Sequence, residues 1–436
     1  MKKITIIGTG YVGLVTGAGI AEFGHYVTCA DIDQNKIDQI NRGEIPIYEP
    51  GLKSLVSENI KKGHLTFSSE VEPCVESADI IFITVGTPQD RNGESDLSAV
   101  KAVAETIGVH LNGYKLICTK STVPIGTGKM IESIIRSKNT NADFDYVSNP
   151  EFLREGAAVK DFLHPDRIVV GTSSKKATSI MRDLYRPLYI NKTPMVVTTV
   201  ETAEMIKYAS NAFLALKISY INEIANLCDA VGADVHEVAK AMGQDGRISP
   251  KFLHPGPGFG GSCFPKDTKA LAATGREKDS PMRTIEAAIQ TNTNQKLKMV
   301  DKLIQLMNGD ITGKTIAILG LAFKPQTDDV RDAASRVIIP KLVANGATIH
   351  AYDPIAMPNF KRHHPEVNYF ENWQDAVNEV DGTIILTEWN EFRGMDLSDL
   401  KSRMASPVVL DTKNILSIQQ LQSLGFSFDN VGRTAV

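Results

Sequence analysis

Cys263 lies in the run HPGPGFGGSCFPKD (254–267), a glycine-rich loop that passes into residues suited to a helix. A thiol in such a setting can add to an aldehyde carbon. The resulting thiohemiacetal gives up a hydride to become a thioester, a route from alcohol through aldehyde to acid. Pro265 suits an early helical position, so the sequence places Cys263 at a helix N-terminus, where the macrodipole favours an anion. Lys266 adds a positive charge nearby, and both effects favour the thiolate. The alternative is a small buried cysteine filling a loop, since free cysteine is among the most buried residue types.

GTGYVG (8–13) follows an apolar run, Ile4–Ile7, and opens a helical stretch. Gly8, Gly10 and Gly13 permit a tight turn and close approach of a pyrophosphate to the helix N-terminus. Asp31 ends the second strand candidate, where an acid binds the adenosine ribose hydroxyls and repels a 2′-phosphate, so NAD is expected rather than NADP. Lys36 softens that discrimination, and the competing reading of Asp31 is a helix N-cap. Lys207 and Asn211 are one helical turn apart on one face, a pairing that suits a developing alkoxide or a sugar hydroxyl. A solvated pair is the plainer reading. Glu151 and Glu155, in NPEFLRE (149–155), follow a strand end, as do Thr122 in STVP (121–124) and Thr87-Pro88. Open α/β sheets bind ligands at such ends.

The elements that must position these groups follow from the apolar pattern. With 436 residues, the chain calls for two or three domains. A net charge of −4 argues against a nucleic-acid partner, and no apolar run approaches the ~20 residues of a membrane span. Five scattered cysteines form no C-x-x-C pair, so neither a disulfide framework nor a zinc site is expected, and the reducing cytoplasm is the expected compartment. Cys29 and Cys118 fall in strand-like runs and read as core. Strand candidates at 4–7, 26–30, 80–85, 116–119, 146–148, 167–171 and 195–199 alternate with helices and predict a buried parallel sheet. Residues 201–231 lack Gly and Pro and carry helical apolar spacing, predicting one helix of roughly 45 Å. Its apolar excess suits a domain bridge or subunit contact. A second βαβ series begins at Lys314–Gly320, with further strands at 348–353, 382–386 and 408–411. The expectation is an α/β chain of two Rossmann-like, doubly wound parallel-sheet domains joined by a helical middle, divided at 1–200, 201–308 and 309–436. In GLAFKP (320–325) one glycine stands where the first unit has three. A different phosphate-bearing ligand, gripped by Lys324 and Arg331, or a scaffold without ligand would both fit.

Six segments in order, GTGYVG (8–13), KSTVP (120–124), NPEFLREG (149–156), KYASN (207–211), GPGFGGSCFPKD (256–267) and GLAFKPQTDDVRDA (320–333), resemble the UDP-glucose/GDP-mannose dehydrogenase family. The resemblance spans nearly the whole chain. It implies that UDP-glucose is oxidised twice at C6, with NAD, to UDP-glucuronate for polysaccharide synthesis. Cys263 is then the nucleophile and Lys207 stabilises the alkoxide and oxyanion. Asp267 acts on the hydrolytic water, with Thr122 and Glu151 organising the site and Asn211 orienting the sugar. The resemblance gives the cofactor Gly8, Gly10, Tyr11, Val12, Gly13, Asp31, Lys36, Thr87, Thr122, Glu155, Lys266 and Arg331. It gives the substrate Glu151, Phe152, Leu153, Phe252, Leu253, Gly260 and Lys324, and has Arg247 serve the neighbouring subunit of a homodimer. Ser262 and Lys266 fit the UDP-glucose pattern better than that of enzymes for N-acetylated sugars, while GDP-mannose oxidisers are nearly as close. Lys413 stands where relatives often carry arginine. Two other readings remain, a two-electron hydroxy-acid dehydrogenase, which has no use for Cys263, and a non-catalytic nucleotide-sugar sensor.

Overall fold

The structure is a computed structural model that describes residues 1–90 and 93–433 and divides into two compact units, Met1–Ser210 and Asn211–Val436. The first holds β1 (Lys3–Ile7), β2 (Tyr26–Ala30), β3 (Leu65–Ser68), β4 (Ile80–Ile83), β5 (Lys115–Thr119), β6 (Phe144–Ser148), β7 (Ile168–Gly171) and β8 (Met195–Thr198). Their order across the sheet is β3-β2-β1-β4-β5-β6-β7-β8. Neighbours run parallel except at β6 and β7, a reversal that the parallel expectation did not include. Ile4 and Ile6 pack with Leu14 and Val15 of the Tyr11–Glu22 helix. Ile7, Ile81, Ile83 and Ile117 belong to the core on the other face. Burial on both faces explains the continuous β-branched runs. The strand order turns back between β1 and β4, so the loops after these two strands flank the crevice where such sheets take ligands.

The second unit holds β9 (Thr315–Leu319), β10 (Thr348–Tyr352), β11 (Asn368–Tyr369), β12 (Gly382–Ile385), β13 (Val408–Asp411) and β14 (Ser427–Asn430) in the order β11-β10-β9-β12-β13-β14, all parallel. Ile221, Ala225 and Cys228 share one core with Met299 and Leu303 of the Arg283–Leu306 helix and with Ile316, Ile318 and Leu410 of the sheet. The helical middle therefore closes one face of the second sheet instead of keeping a core of its own. Ala317 and Leu319 point to the other face, among Trp373, Phe392 and Leu400.

The long helix runs over Val200–Val231, 32 residues. It stops where Gly232 takes φ +74° and its N–H bonds the Cys228 carbonyl, a conformation that suits glycine. Near its start Glu204, 2% exposed, accepts from the N–H groups of Gly126 (2.7 Å) and Gly128 (2.9 Å). It thereby caps the Thr127–Lys138 helix, which has no side-chain cap of its own. Burial pushes the Glu204 carboxyl up to about 7 against the pull of these two N–H groups. A carboxyl raised in the folded state binds its proton more tightly there than in the unfolded chain, so its contribution to stability falls as pH rises through the window from ~4.3 to about 7. Glu204→Ala should cost about 2 kcal/mol, the penalty for buried N–H groups without acceptors, and should flatten that decline. Urea denaturation across this pH range measures both effects.

Candidate active site

After β1 the backbone turns at Gly8, φ +103°. A Cβ on Gly13 would lie 1.9 Å from the Gly8 carbonyl oxygen, so the helix packs onto the turn only with glycine there. A Cβ on Gly10 would meet no atom within 4 Å, which leaves the N-terminus of the Tyr11–Glu22 helix open to a phosphate. Asp31 does not cap the following helix, because Asp33 does. One Asp31 oxygen accepts from the Thr9 N–H (2.8 Å), the Thr9 hydroxyl (2.7 Å) and Lys36 Nζ (3.0 Å). The other accepts from Asp33 N. Burial opposes its charge, yet these bonds together hold the carboxyl below its usual range. Asp31 is thus a fixed, partly exposed carboxylate at the tip of β2, and the turn and acid fit a dinucleotide. Lys36 is paired with Asp31, so its charge is largely compensated there. Val12 belongs to the first turn of the Tyr11–Glu22 helix.

At the ends of β4, β5 and β6 the chain gathers its polar groups. The Thr87 hydroxyl donates to the Thr122 carbonyl at 2.8 Å. Glu151, 5% exposed, receives Lys207 Nζ at 2.9 Å on one oxygen and the Leu153 N–H on the other. Lys207, 3% exposed, also lies 5.3 Å from the Phe152 ring centre, and the Arg167 guanidinium covers that ring at 3.6 Å. Lys207 and Glu151 are therefore a buried pair with the half-buried Phe152 and Leu153 against it, and an ammonium held there can stabilise a developing oxyanion. Glu155, half-buried, lies close enough to act on the Tyr11 hydroxyl electrostatically.

In the second unit Cys263 is the N-cap of the Phe264–Glu277 helix, with Pro265 in its first turn, as its sequence indicates. Of the five cysteines it alone is not buried, while Cys29 and Cys118 are core. Its Sγ lies 3.6 Å from Ser262 Oγ. Asp267, fully buried, accepts from Asn211 Nδ2 and from Lys266 Nζ, both at 2.6 Å. The Lys266 charge is thus shared with Asp267. Phe252 holds φ +65°, and its ring and that of Phe259 each lie 6.1 Å from Phe264. Leu253 is buried. A Cβ on Gly260 would come within 2.5 Å of the Asp332 carbonyl oxygen, so close backbone packing requires this glycine independently of any ligand.

The second crevice differs from the first. Asp353 directly follows β10 as Asp31 follows β2, but it is wholly buried and accepts from the N–H groups of Leu321, Ala322, Ile355 and Ala356 and from Trp389 Nε1. It holds the turn after β9 in place and has no exposed face for a ribose. Lys324, half-buried, lies 5.2 Å from the Phe323 ring centre. Arg331 is fastened through one guanidinium edge, Nε and Nη2, to the two oxygens of Asp329, at 2.8 and 2.7 Å. Arg247 is exposed and pairs with Asp245, while Lys413 pairs with Glu388 at 2.8 Å.

Several positioning groups escaped the sequence reading. Buried Glu49 accepts from Gly156 N and Ala158 N, each at 2.7 Å, and from the Tyr11 hydroxyl. It ties the glycine turn to the segment carrying Glu155. Burial first, and Glu49 next, push the Tyr11 hydroxyl far up, so it stays a donor. Asn292 holds both the N–H and the carbonyl of Phe259, Gln295 the carbonyl of Gly256, and Lys296 the carbonyl of Asp332. Three polar residues at i, i+3 and i+4 on one helix were the available signal. If Asp31 holds the ribose diol, Asp31→Ser should weaken NAD binding and narrow the preference for NAD over NADP by at least about tenfold. Steady-state kinetics with both cofactors would show it, and an unchanged ratio would remove that role.

The sequence matches the UDP-glucose/GDP-mannose dehydrogenase family in three parts: its NAD binding domain over residues 2–189, its central domain over 201–294 and its UDP binding domain over 317–418. The chain is 49% identical to UDP-glucose 6-dehydrogenase of Rhizobium meliloti, covering 99% of each. It is 50% identical to the Bacillus subtilis UDP-glucose 6-dehydrogenase TuaD, covering all of this chain and 94% of that protein. Among solved structures, a UDP-glucose dehydrogenase from Pyrobaculum islandicum superposes with a TM-score of 0.90 at 36% identity, over 95% of both chains. A UDP-D-ManNAc dehydrogenase from Pyrococcus horikoshii gives 0.88 at 26% identity over the full length of both. With three consecutive domain matches and relatives aligned end to end, the chain belongs to the UDP-glucose/GDP-mannose dehydrogenase family.

Proposed function

We propose that the protein oxidises UDP-glucose at C6 to UDP-glucuronate in two NAD-dependent steps. The observation that carries this reading is Cys263, the one cysteine of five outside the core, at the N-cap of the helix whose first turn carries Asp267, itself bonded to Asn211 and Lys266. An enzyme that stopped at the carbonyl would have no use for this thiol. Full-length identity of about half to proteins named UDP-glucose 6-dehydrogenase favours glucose over N-acetylated sugars, whose dehydrogenase from Pyrococcus horikoshii is 26% identical.

The glycine turn, Asp31 and the Tyr11–Glu22 helix N-terminus are the proposed cofactor cradle, and NAD, when bound, supplies the hydride acceptor for both oxidations. Lys207, fixed by Glu151, stabilises the alkoxide of the first step and the oxyanions of the later ones. Cys263 adds through sulfur to the aldehyde carbon, and the carbonyl oxygen takes up a proton to give the thiohemiacetal. After the second oxidation a thioester remains. Asp267 accepts a proton from the water that attacks it, the C–S bond breaks, and Cys263 returns with the carboxylate as product. Asn211, bonded to Asp267, orients the sugar. Thr122 holds the water, and Lys324 and Arg331 serve the nucleotide portions of the ligands.

The exposed face of the long helix completes the proposal. Phe213 (61% exposed), Tyr220 (46%) and Leu227 (57%) recur every seven residues and form an apolar stripe. A second copy of the chain covers this stripe, and Arg247 of each copy serves the other's site. Tyr220→Glu combined with Leu227→Glu should yield a monomer by light scattering with much reduced activity. A parent protein that is monomeric at micromolar concentration would overturn the dimer.

The mechanism is tested by stoichiometry and trapping. The parent should give two NADH per UDP-glucose and little with GDP-mannose or UDP-N-acetylhexosamines. Cys263→Ala should release no UDP-glucuronate. Cys263→Ser can still attack but forms an oxygen ester, a poorer acyl donor, so intact mass spectrometry should find protein heavier by one sugar nucleotide. UDP-glucuronate formation by Cys263→Ala at the parental rate would exclude the covalent route.

A further inference from the structure

Lys120 directly follows β5 and is 5% exposed. Its Nζ donates to Asn149 Oδ1 at 3.2 Å and to the Tyr185 hydroxyl at 3.3 Å, and Tyr185 in turn donates to Asn149 Oδ1 at 2.7 Å. Both partners of the ammonium are neutral. Asn149 is fixed independently, since its N–H bonds the Thr119 carbonyl and its Nδ2 the Val169 carbonyl. The ring of three side chains therefore does not need a charge to hold the strand ends together. Methionine would fill the same volume without the desolvation penalty that a buried ammonium carries. A charge kept in such a place calls for an electrostatic reason.

The charged groups that act on Lys120 supply one. They are Glu151 and Lys207, while the Cys118 thiol and the Tyr185 hydroxyl that Lys120 contacts are kept neutral by burial. Glu151 and Lys207 form a buried ion pair at 2.9 Å, so the carboxylate offsets one of the two ammonium charges. We propose that Lys120 is a positioning residue of the reaction, a buried cation that leaves the Lys120–Glu151–Lys207 set with one net positive charge and so lets Lys207 stabilise an oxyanion although Glu151 neutralises it. The role rests on the function proposed above. Burial pushes the Lys120 ammonium down to about 8, so the net charge is present at neutral pH and disappears in mildly alkaline solution.

The test uses the full-length protein with NAD and UDP-glucose. Lys120→Met should lower kcat by about tenfold or more while KM changes less than about threefold, because the lost term belongs to the transition state. Lys120→Arg keeps a charge that does not titrate. It should recover most of kcat and extend the activity that the parent loses above about pH 8. If Lys120→Met does not fold, Lys120→Gln replaces it as the uncharged variant. A second readout needs no turnover. A lysine depressed in the folded state makes stability rise with pH from about 8 toward the unfolded value of ~10.4, and the uncharged variant should lack that rise in urea titrations. Parental kcat in the uncharged variant overturns the role, and so does Lys120→Arg performing no better than it. A parent inactive on UDP-glucose would instead overturn the function itself, and this role with it.

Discussion

Glu151 and Lys207 are buried against each other, with side chains 5% and 4% exposed, and this pair constrains much of the first unit. Removing two charges from water is costly, and their attraction offsets the cost only when geometry and additional hydrogen bonds are good. Here the second carboxylate oxygen takes the Leu153 N–H, which forces the chain after β6 into a tight turn. The Phe152 ring lies near the ammonium, and Arg167 closes over its face. Loss of either charge would leave the other buried without this partner, at about 3–5 kcal/mol. The long helix is thereby fixed at its N-terminal end in both rotation and height. Glu204 fixes it again by capping the Thr127–Lys138 helix from one turn earlier.

The two sheets show how one topology serves two purposes. In each, a glycine with positive φ follows the first strand, Gly8 in one and Gly320 in the other, and an acid ends the next. A Cβ on Gly320 would lie 2.4 Å from the Thr387 Cβ, so this glycine is required by packing. Asp353 then satisfies four backbone N–H groups and an indole, while Asp31 holds Thr9, Asp33 and Lys36 and keeps some exposure. An acid consumed by its own loop cannot bind a ribose. The second crevice is therefore unsuited to a dinucleotide in the manner of the first, in keeping with the match of residues 317–418 to a UDP binding domain.

Most of the architecture was legible because it rests on patterns that burial imposes. Strands buried on both faces read as continuous Ile and Val runs, and the thirty-one residues 201–231 without Gly or Pro read as one helix. Cys263 was readable as a cap from Pro265. The strands Leu65–Ser68, Asn368–Tyr369 and Ser427–Asn430 were not, being short, edge-lying and mixed in polarity. Nor was the reversal at β6 and β7, since an apolar run carries no direction. Asp31 and Asp353 have the same local signature and opposite uses, which depend on whether neighbouring N–H groups turn inward. Glu49 and Lys120 were missed for a related reason. A lone charged residue beside Pro or Ser reads as solvated until its distant partners are known.

The cysteine loop illustrates what a scaffold must supply beyond its reactive group. Gly258, Gly260 and Gly261 let the backbone lie against Asn292, the 332–333 turn and the Phe323 ring, where any Cβ would come within 2.8 Å of a neighbour. Glycine provides that closeness at the expense of conformational freedom, and a loop with so many glycines would wander without external ties. The ties are polar and come largely from one face of the Arg283–Leu306 helix. Asn292 grips both backbone groups of Phe259, Gln295 holds Gly256, and Lys296 holds the Asp332 carbonyl against which Gly260 rests. Asn222 of the long helix takes the Gly256 N–H at 2.8 Å. The position of the thiol thus depends on buried amides that hold the loop before it, and a change at Asn292 would loosen Cys263 without altering a reacting atom.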